Sequence, residues 1–260
     1  MNILRSIISG AVQGVTEFLP VSSSGHLVLL HFFFGIKEPQ VLYDLFLHLG
    51  TSTAVIIYFR REIIEAFTKK RQILWLVILG TTPLVLLAFL FKFCPAAENA
   101  LKQMFVSPLL TGFMFLITGI WLCLPNMKRW QTPAEKDISV RQAVIVGLAQ
   151  VAAIFPGISR SGATISTGLM SKMKPGSAAR FSFLLSIPAI LGGLVFEFKD
   201  ISGMEGLNFQ TVIPGFLTAL IVGYLAIHIL LKIVYAGRLY FFGFYCFLLG
   251  LIVIITRIFC

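Results

Sequence analysis

The amino-acid sequence predicts an all-α membrane protein with six transmembrane helices plus two re-entrant helix-loop-helix hairpins in an inverted repeat. Three observations predict it. The 260 residues are 57% hydrophobic and only 12% charged, against roughly 25% charged in a soluble domain. Apolar runs of near-span length recur along the chain, about 20 residues being what a helix needs to cross a ~30 Å hydrocarbon core. Two further apolar stretches are interrupted near their middles by Pro, Ser and Gly. The alternation of a membrane β-barrel is absent.

Taken in order, the first interrupted stretch, 2–34, predicts a hairpin. Non-helical backbone at membrane depth is tolerated only where protein buries it or where it lines a wet cavity. Its Arg5-led start resembles a signal peptide but lacks a small-x-small cleavage site, so it is read as part of the mature fold. Spans follow at 40–59, 73–93 and 107–125. A second interrupted stretch, 142–171, predicts the second hairpin, followed by spans at 178–196, 211–231 and 239–256. The whole chain, 1–260, forms a single membrane domain, with repeats 1–125 and 142–260. Superposing the two repeats brings Gln13 and Gly25 onto Gln150 and Gly162. Three spans per half is an odd number, so the second half enters from the opposite side and the site is expected where the broken helices meet.

The balance of 21 Lys and Arg against 11 Asp and Glu gives +10. The basic residues fall mostly in short loops, five in 60–72 and four in 126–141 against one each in 94–106 and 197–210. That bias is a topology signal and not a nucleic-acid surface; it places those two loops in the cytoplasm and both chain termini outside. The cysteines at 94, 123, 246 and 260 make no CxxC pair, so no disulfide framework or zinc site is indicated. Walker, GxGxxG and HExxH motifs are also absent.

Chemistry concentrates in the interrupted stretches. In "QGVTEFLPVSSSGHL", Gln13 and Glu17 are four apart and share a helix face. A carboxylate at membrane depth is costly and marks a site, a metal or a pairing partner. Ser22, Ser23 and Ser24, then Gly25, offer a helix cap, hydroxyl donors and a close backbone approach, and the helix N-terminus they begin suits an anion. His26 could serve as acid, base, nucleophile or metal ligand. His31, His48 and His228 have no comparable polar company in sequence and read as structural or interfacial. In "PGISRSGATIS", Arg160 stands between Ser159 and Ser161 with Thr164 one turn on, a setting in which a guanidinium can grip two phosphate oxygens.

These two stretches resemble the signatures of the bacitracin-resistance type of undecaprenyl-diphosphate phosphatase, over nearly the whole chain. The first signature, Glu or Gln followed four residues later by Glu, is met by Gln13 and Glu17. The second, PGxSRSxxT, is met by Pro156, Gly157, Ser159, Arg160, Ser161 and Thr164. The resemblance implies an integral protein of the bacterial cytoplasmic membrane that hydrolyses the C55 lipid diphosphate to the monophosphate and inorganic phosphate, recycling the carrier for cell-wall synthesis. It implies an outward-facing site and a divalent cation, Mg2+ or Ca2+, with Glu17 as its ligand. The catalytic expectation is Glu17, Ser23, His26 and Arg160, with Gln13, Ser22, Ser24, Gly25, Ser159, Ser161 and Thr164 binding substrate. Gln13 departs from the Glu that many members carry, which places more duty on Glu17. Ser23 with His26 as its base, His26 itself and activated water all stand as nucleophiles. The expected partners are the prenyl diphosphate and the bilayer, with no nucleic acid; the sequence leaves the oligomeric state open, a homodimer included. The competing classes are an inverted-repeat transporter or flippase and a non-enzymatic binder of lipid diphosphate.

Overall fold

The computed structural model describes residues 2–36, 40–105, 107–126, 138–197 and 208–259. The described chain is all-helical. Asn2 caps α1 (Ile3–Phe18) by accepting from the Arg5 amide. The helix ends before Pro20, whose ring cannot continue it. At 16 residues it rises only ~24 Å, less than the hydrocarbon core. A tight turn leads to α2 (Ser23–Phe33), which is shorter still at 11 residues.

Next comes α3 (Val41–Tyr58), which bends by 69° into α4 (Arg60–Thr68). Beyond it lie α5 (Arg71–Phe93), α6 (Pro95–Met104) and α7 (Pro108–Cys123), the last extended by a 3-10 turn to Asn126. The second short pair is α8 (Val140–Val151) and α9 (Arg160–Met170), joined through a 3-10 turn at Ala152–Ile154. Ser139 and Gln142 form a reciprocal capping box at the start of α8, satisfying two amides that the helix itself cannot. Three long helices complete the chain: α10 (Pro175–Glu197), α11 (Phe209–Tyr235) and α12 (Tyr240–Phe259).

Five helices, α5, α7, α10, α11 and α12, are each long and apolar enough to cross a bilayer, and the bent α3–α4 pair makes a sixth candidate. The protein is therefore a multi-pass membrane protein. Large apolar side chains such as Trp75, Leu90, Phe244 and Leu248 are exposed on its surface, as a lipid-facing surface requires. All six predicted spans coincide with helices. The segments read as loops at 60–72 and 94–106 differ, because most of each folds as a short helix. In α4 the reason is a buried inner face: Ala66 is buried and Ile63 packs on the core. Much of the basic loop 126–141, and of 197–210, lies outside the described residues.

Small residues set how closely the helices cross. A Cβ added at Gly14 would stand 2.8 Å from the backbone nitrogen of Gly223, and one at Gly147 2.8 Å from the Cα of Gly80. Those contacts seat α1 against α11 and α8 against α5. Below the turns, Phe18 and Phe59 both meet Phe183, with centroids 5.6 and 5.4 Å apart. This aromatic floor joins α1, the bend between α3 and α4, and α10 in one core.

The two short pairs meet at their turns. Gly157 has φ +101°, where an L side chain is strained, and a Cβ there would lie 2.6 Å from the Thr111 carbonyl oxygen. Its amide donates to Ser22 Oγ at 3.2 Å, and its carbonyl accepts from Thr118 Oγ1 at 2.8 Å. Thr118 Oγ1 in turn accepts from the Ser159 amide at 3.0 Å. One serine and one threonine thus lock both turns to each other and to α7. The short pairs also begin in register: the step from Ile3 at the start of α1 to Val140 at the start of α8 equals the step from Ser23 at the start of α2 to Arg160 at the start of α9.

Candidate active site

Where the turns meet, they enclose a cavity of about 270 Å3. Its polar wall comes from the end of α1 (Thr16, Glu17), the start of α2 (Ser22, Ser23, Ser24), His48 of α3, and Gln150, Ser159 and Arg160 of the second pair. Its apolar wall comes from Leu84, Phe105, Ile154, Ile158, Ala189 and Ile190. A pocket lined by both polar and apolar side chains suits an amphiphile. Both α2 and α9 begin at this wall, which adds the positive ends of two helix dipoles.

Glu17 is the centre of the polar wall. Its Oε1 accepts from Arg160 Nη2, which joins the first hairpin to the second. Its Oε2 accepts from Ser23 Oγ at 2.6 Å and Gln13 Nε2 at 3.0 Å, and lies 3.2 Å from His48 Nδ1. The pair is largely dry, with side-chain exposures of 16% for Arg160 and 5% for Glu17. At so low an exposure each charge would be costly without the other. The Ser23 hydroxyl is directed at a carboxylate oxygen, and Ser23 is part of the cavity wall.

Six of the expected residues share this wall: Glu17, Ser22, Ser23, Ser24, Ser159 and Arg160. Five do not border the cavity, and each has a physical reason. Gln13 is fully buried behind Glu17, where its amide also lies 2.8 Å from His48 Nδ1 and 3.5 Å from Thr51 Oγ1. Gly25 faces the other turn: a Cβ there would meet Phe115 at 2.7 Å and Gly157 Cα at 2.9 Å. His26 is drawn away toward α12, with Nδ1 2.7 Å from the Ser22 carbonyl and Nε2 2.8 Å from the Tyr245 hydroxyl. Its ring stacks on Tyr245 and meets Phe115 edge-on. Ser161 is buried against Ser159 Oγ at 3.2 Å. Thr164 Oγ1 donates to the Arg160 carbonyl at 2.7 Å and lies 2.6 Å from Ser182 Oγ. These five brace the groups that face the cavity.

His48 and Gln150 border the cavity although the sequence does not mark them as site residues. His48, read as structural, has polar company from outside its own stretch of chain. A signal for it is present in the sequence: Asp44, His48 and Ser52 recur every four residues along an otherwise apolar helix, so one face of α3 is polar. His31 Nε2 lies 3.4 Å from Asp44 Oδ1, without a hydrogen bond between them. Gln150, which stands out in sequence only as the repeat match of Gln13, lies in the polar wall as well. His228 is not part of the cavity wall and lies 3.4 Å from the Tyr58 hydroxyl.

Among the described residues, no three His, Cys, Asp or Glu side chains group to hold a metal ion. The cavity has one carboxylate, Glu17, together with hydroxyls and an unpartnered amide. That donor set suits a hard cation that keeps most of its ligands from water and phosphate, and not an all-protein cage.

The family model for the bacitracin resistance protein BacA matches residues 6–252, which includes both turns and the whole cavity wall. The chain belongs to the BacA family. It is 40% identical over 262 residues to the undecaprenyl-diphosphatase of Carboxydothermus hydrogenoformans, covering 99% of this chain and 98% of that one. The undecaprenyl-diphosphatase of Methanosphaera stadtmanae is 36% identical over 281 residues, covering 99% of each. Undecaprenyl-diphosphatase 4 of Bacillus thuringiensis is 37% identical over 257 residues, covering 98% of this chain and 97% of its own. The likeness to these BacA proteins thus spans full length.

Proposed function

We propose that this protein hydrolyses undecaprenyl diphosphate to undecaprenyl phosphate and inorganic phosphate in the bacterial cytoplasmic membrane. The observation that carries the reading is Glu17. One buried carboxylate takes an arginine from the second hairpin on one oxygen and a serine hydroxyl on the other, beside a cavity with an apolar wall. The names of the full-length relatives supply the substrate.

The chemistry follows from that arrangement. Arg160, Ser159 and the N-termini of α2 and α9 hold the pyrophosphoryl group, and the prenyl chain leaves along the apolar wall. Ser23 Oγ attacks the terminal phosphorus as its proton passes to Glu17. The bond to the bridging oxygen breaks, and the prenyl monophosphate departs with the proton that Glu17 hands on to its oxygen. Water then attacks the phosphoserine as its proton passes to Glu17, and the Ser23 Oγ–phosphorus bond breaks with Glu17 returning that proton to Ser23 Oγ as inorganic phosphate leaves. Positioned donors around developing phosphate charge supply most of the acceleration. Glu17 would be the carboxylate that holds a divalent cation, Mg2+ or Ca2+, whose chemistry there would be to neutralise phosphate charge.

The same reading sets the membrane arrangement: six spans, the two short helix pairs re-entering from opposite sides as an inverted repeat, and the cavity open to the outer face. In support, each arm of the two pairs is too short to cross, and the offset between the pairs is the same in both arms. The test is purified protein given a prenyl diphosphate in detergent, with free phosphate measured. Stoichiometric release, together with a phosphoryl group trapped on Ser23, is expected. Lipid flux across vesicles without phosphate release would overturn the reading, and a trapped group on His26 would overturn the role of Ser23.

A further inference from the structure

Gln150 is fully buried, and among the described residues neither Nε2 nor Oε1 of its amide has a hydrogen-bond partner. Leaving both ends of a buried amide unmade costs stability, and native interiors avoid it. Gln13, its counterpart in the first hairpin, also has a partnerless Oε1, and the contrast lies at the nitrogen. There the amide nitrogen has Glu17, His48 and Thr51 within reach. In the second half the position that matches Glu17 is Ile154, which carries no polar side chain. What Gln150 does border is the cavity that Arg160, Ser159 and Ser23 also line.

We infer that the Gln150 amide is a substrate contact, its Nε2 donating to a non-bridging oxygen of the diphosphate head group and its Oε1 accepting from water bound there. This rests on the proposed activity and adds a contact to it. A neutral donor is suited to the place. Arg160 already balances Glu17, and an amide adds a directed hydrogen bond without adding charge to a dry pocket. The head group is then held by both arms of the second hairpin, Gln150 from α8 and Arg160 from α9.

The test uses wild type, Gln150→Leu and Gln150→Glu, each purified in detergent. KM and kcat for a prenyl diphosphate are measured, along with the thermal midpoint with and without inorganic pyrophosphate. Gln150→Leu removes a polar group that has no partner, so its ligand-free midpoint holds or rises. Its KM rises by about tenfold, the loss expected of one good hydrogen bond, and the midpoint gain from pyrophosphate shrinks. Gln150→Glu sets a carboxylate against phosphate and raises KM further. Unchanged KM, kcat and pyrophosphate response in both variants would overturn the inference, because the amide would then serve only a structural water. A Gln150→Leu protein that unfolds would also overturn it, since the amide would have to be satisfied internally. Wild-type protein that releases no phosphate yet gains stability from pyrophosphate would overturn the enzymatic reading alone, leaving the head-group contact to be judged by the midpoints.

Discussion

The first and second hairpins begin in register, cap their second helices alike with Ser22 and Ser159, and carry a buried glutamine at matching positions. Their polar groups have nonetheless diverged. The first hairpin holds a carboxylate whose oxygens are satisfied by Arg160, Ser23 and Gln13, with His48 close by. The second holds a cation that reaches across to that carboxylate, and an amide without partners. Helix pairs that begin in register thus bring different groups to the cavity, a carboxylate and a hydroxyl from one, a guanidinium from the other. The lesson is that the crossing between halves, not either hairpin alone, makes the pocket.

The comparison is broken most severely at Glu17. Glu17→Gln removes the group that takes the Ser23 proton, and turnover should fall by ~10²–10⁴, read as phosphate release at saturating substrate. Loss of the divalent-cation dependence of the residual rate is expected with it. Arg160→Ala comes next, with kcat down by ~10²–10³ as one strong donor to phosphate charge is lost. It also leaves Glu17 buried without its cation, which costs about 3–5 kcal/mol, measured as a lower midpoint in detergent. The double variant Glu17→Gln with Arg160→Met removes both charges together, so its stability should recover while its activity stays lost. Recovery of both would reduce the ion pair to a structural link. His48→Asn should cost about tenfold, because it removes one neighbour of the carboxylate and leaves Arg160, Ser23 and Gln13 in place. A wild-type rate for that variant would return His48 to the structural role that the sequence suggests.

How much of this is legible in the sequence depends on distance along the chain. The six apolar runs, the two interruptions and the Gln13–Glu17 face are local patterns, and all appear as helices, turns and a shared helix face in the structure. Arg160 stands out because an arginine among hydroxyls is out of place in oil. The orientation of His26 is not legible, since it is set by Tyr245, far along the chain in α12. Nor is the role of Ser22, whose oxygen accepts from Gly157 in the other hairpin. His48 escapes for a different reason: taken alone it has only apolar neighbours in sequence, and its meaning emerges with Asp44 and Ser52 on one helix face. The helical folding of 60–68 is hidden by its charge, which conceals the one buried face that packs.

The finest contrast between the hairpins lies in their capping serines. Ser159 Oγ accepts from the Gly162 amide at 3.0 Å, an ordinary cap within its own helix. Ser22 Oγ accepts from the Gly25 amide at 3.3 Å, the matching cap, and also from the Gly157 amide at 3.2 Å across the interface. Ser22 further holds φ +69°, a conformation that a non-glycine residue keeps only when its surroundings fix it. Removing Ser159 Oγ therefore orphans one amide, whereas removing Ser22 Oγ orphans two, one of them in the other hairpin. A lost cap costs ~1 kcal/mol, and a second buried amide left unmade adds ~1–3 kcal/mol. Ser22→Ala should accordingly lower the thermal midpoint more than Ser159→Ala does. Hydrogen exchange should locate the added loss at the Gly157 amide. Equal midpoints for the two variants would mean that Thr118, through its bonds to both Gly157 and Ser159, holds the second turn without help from the first hairpin.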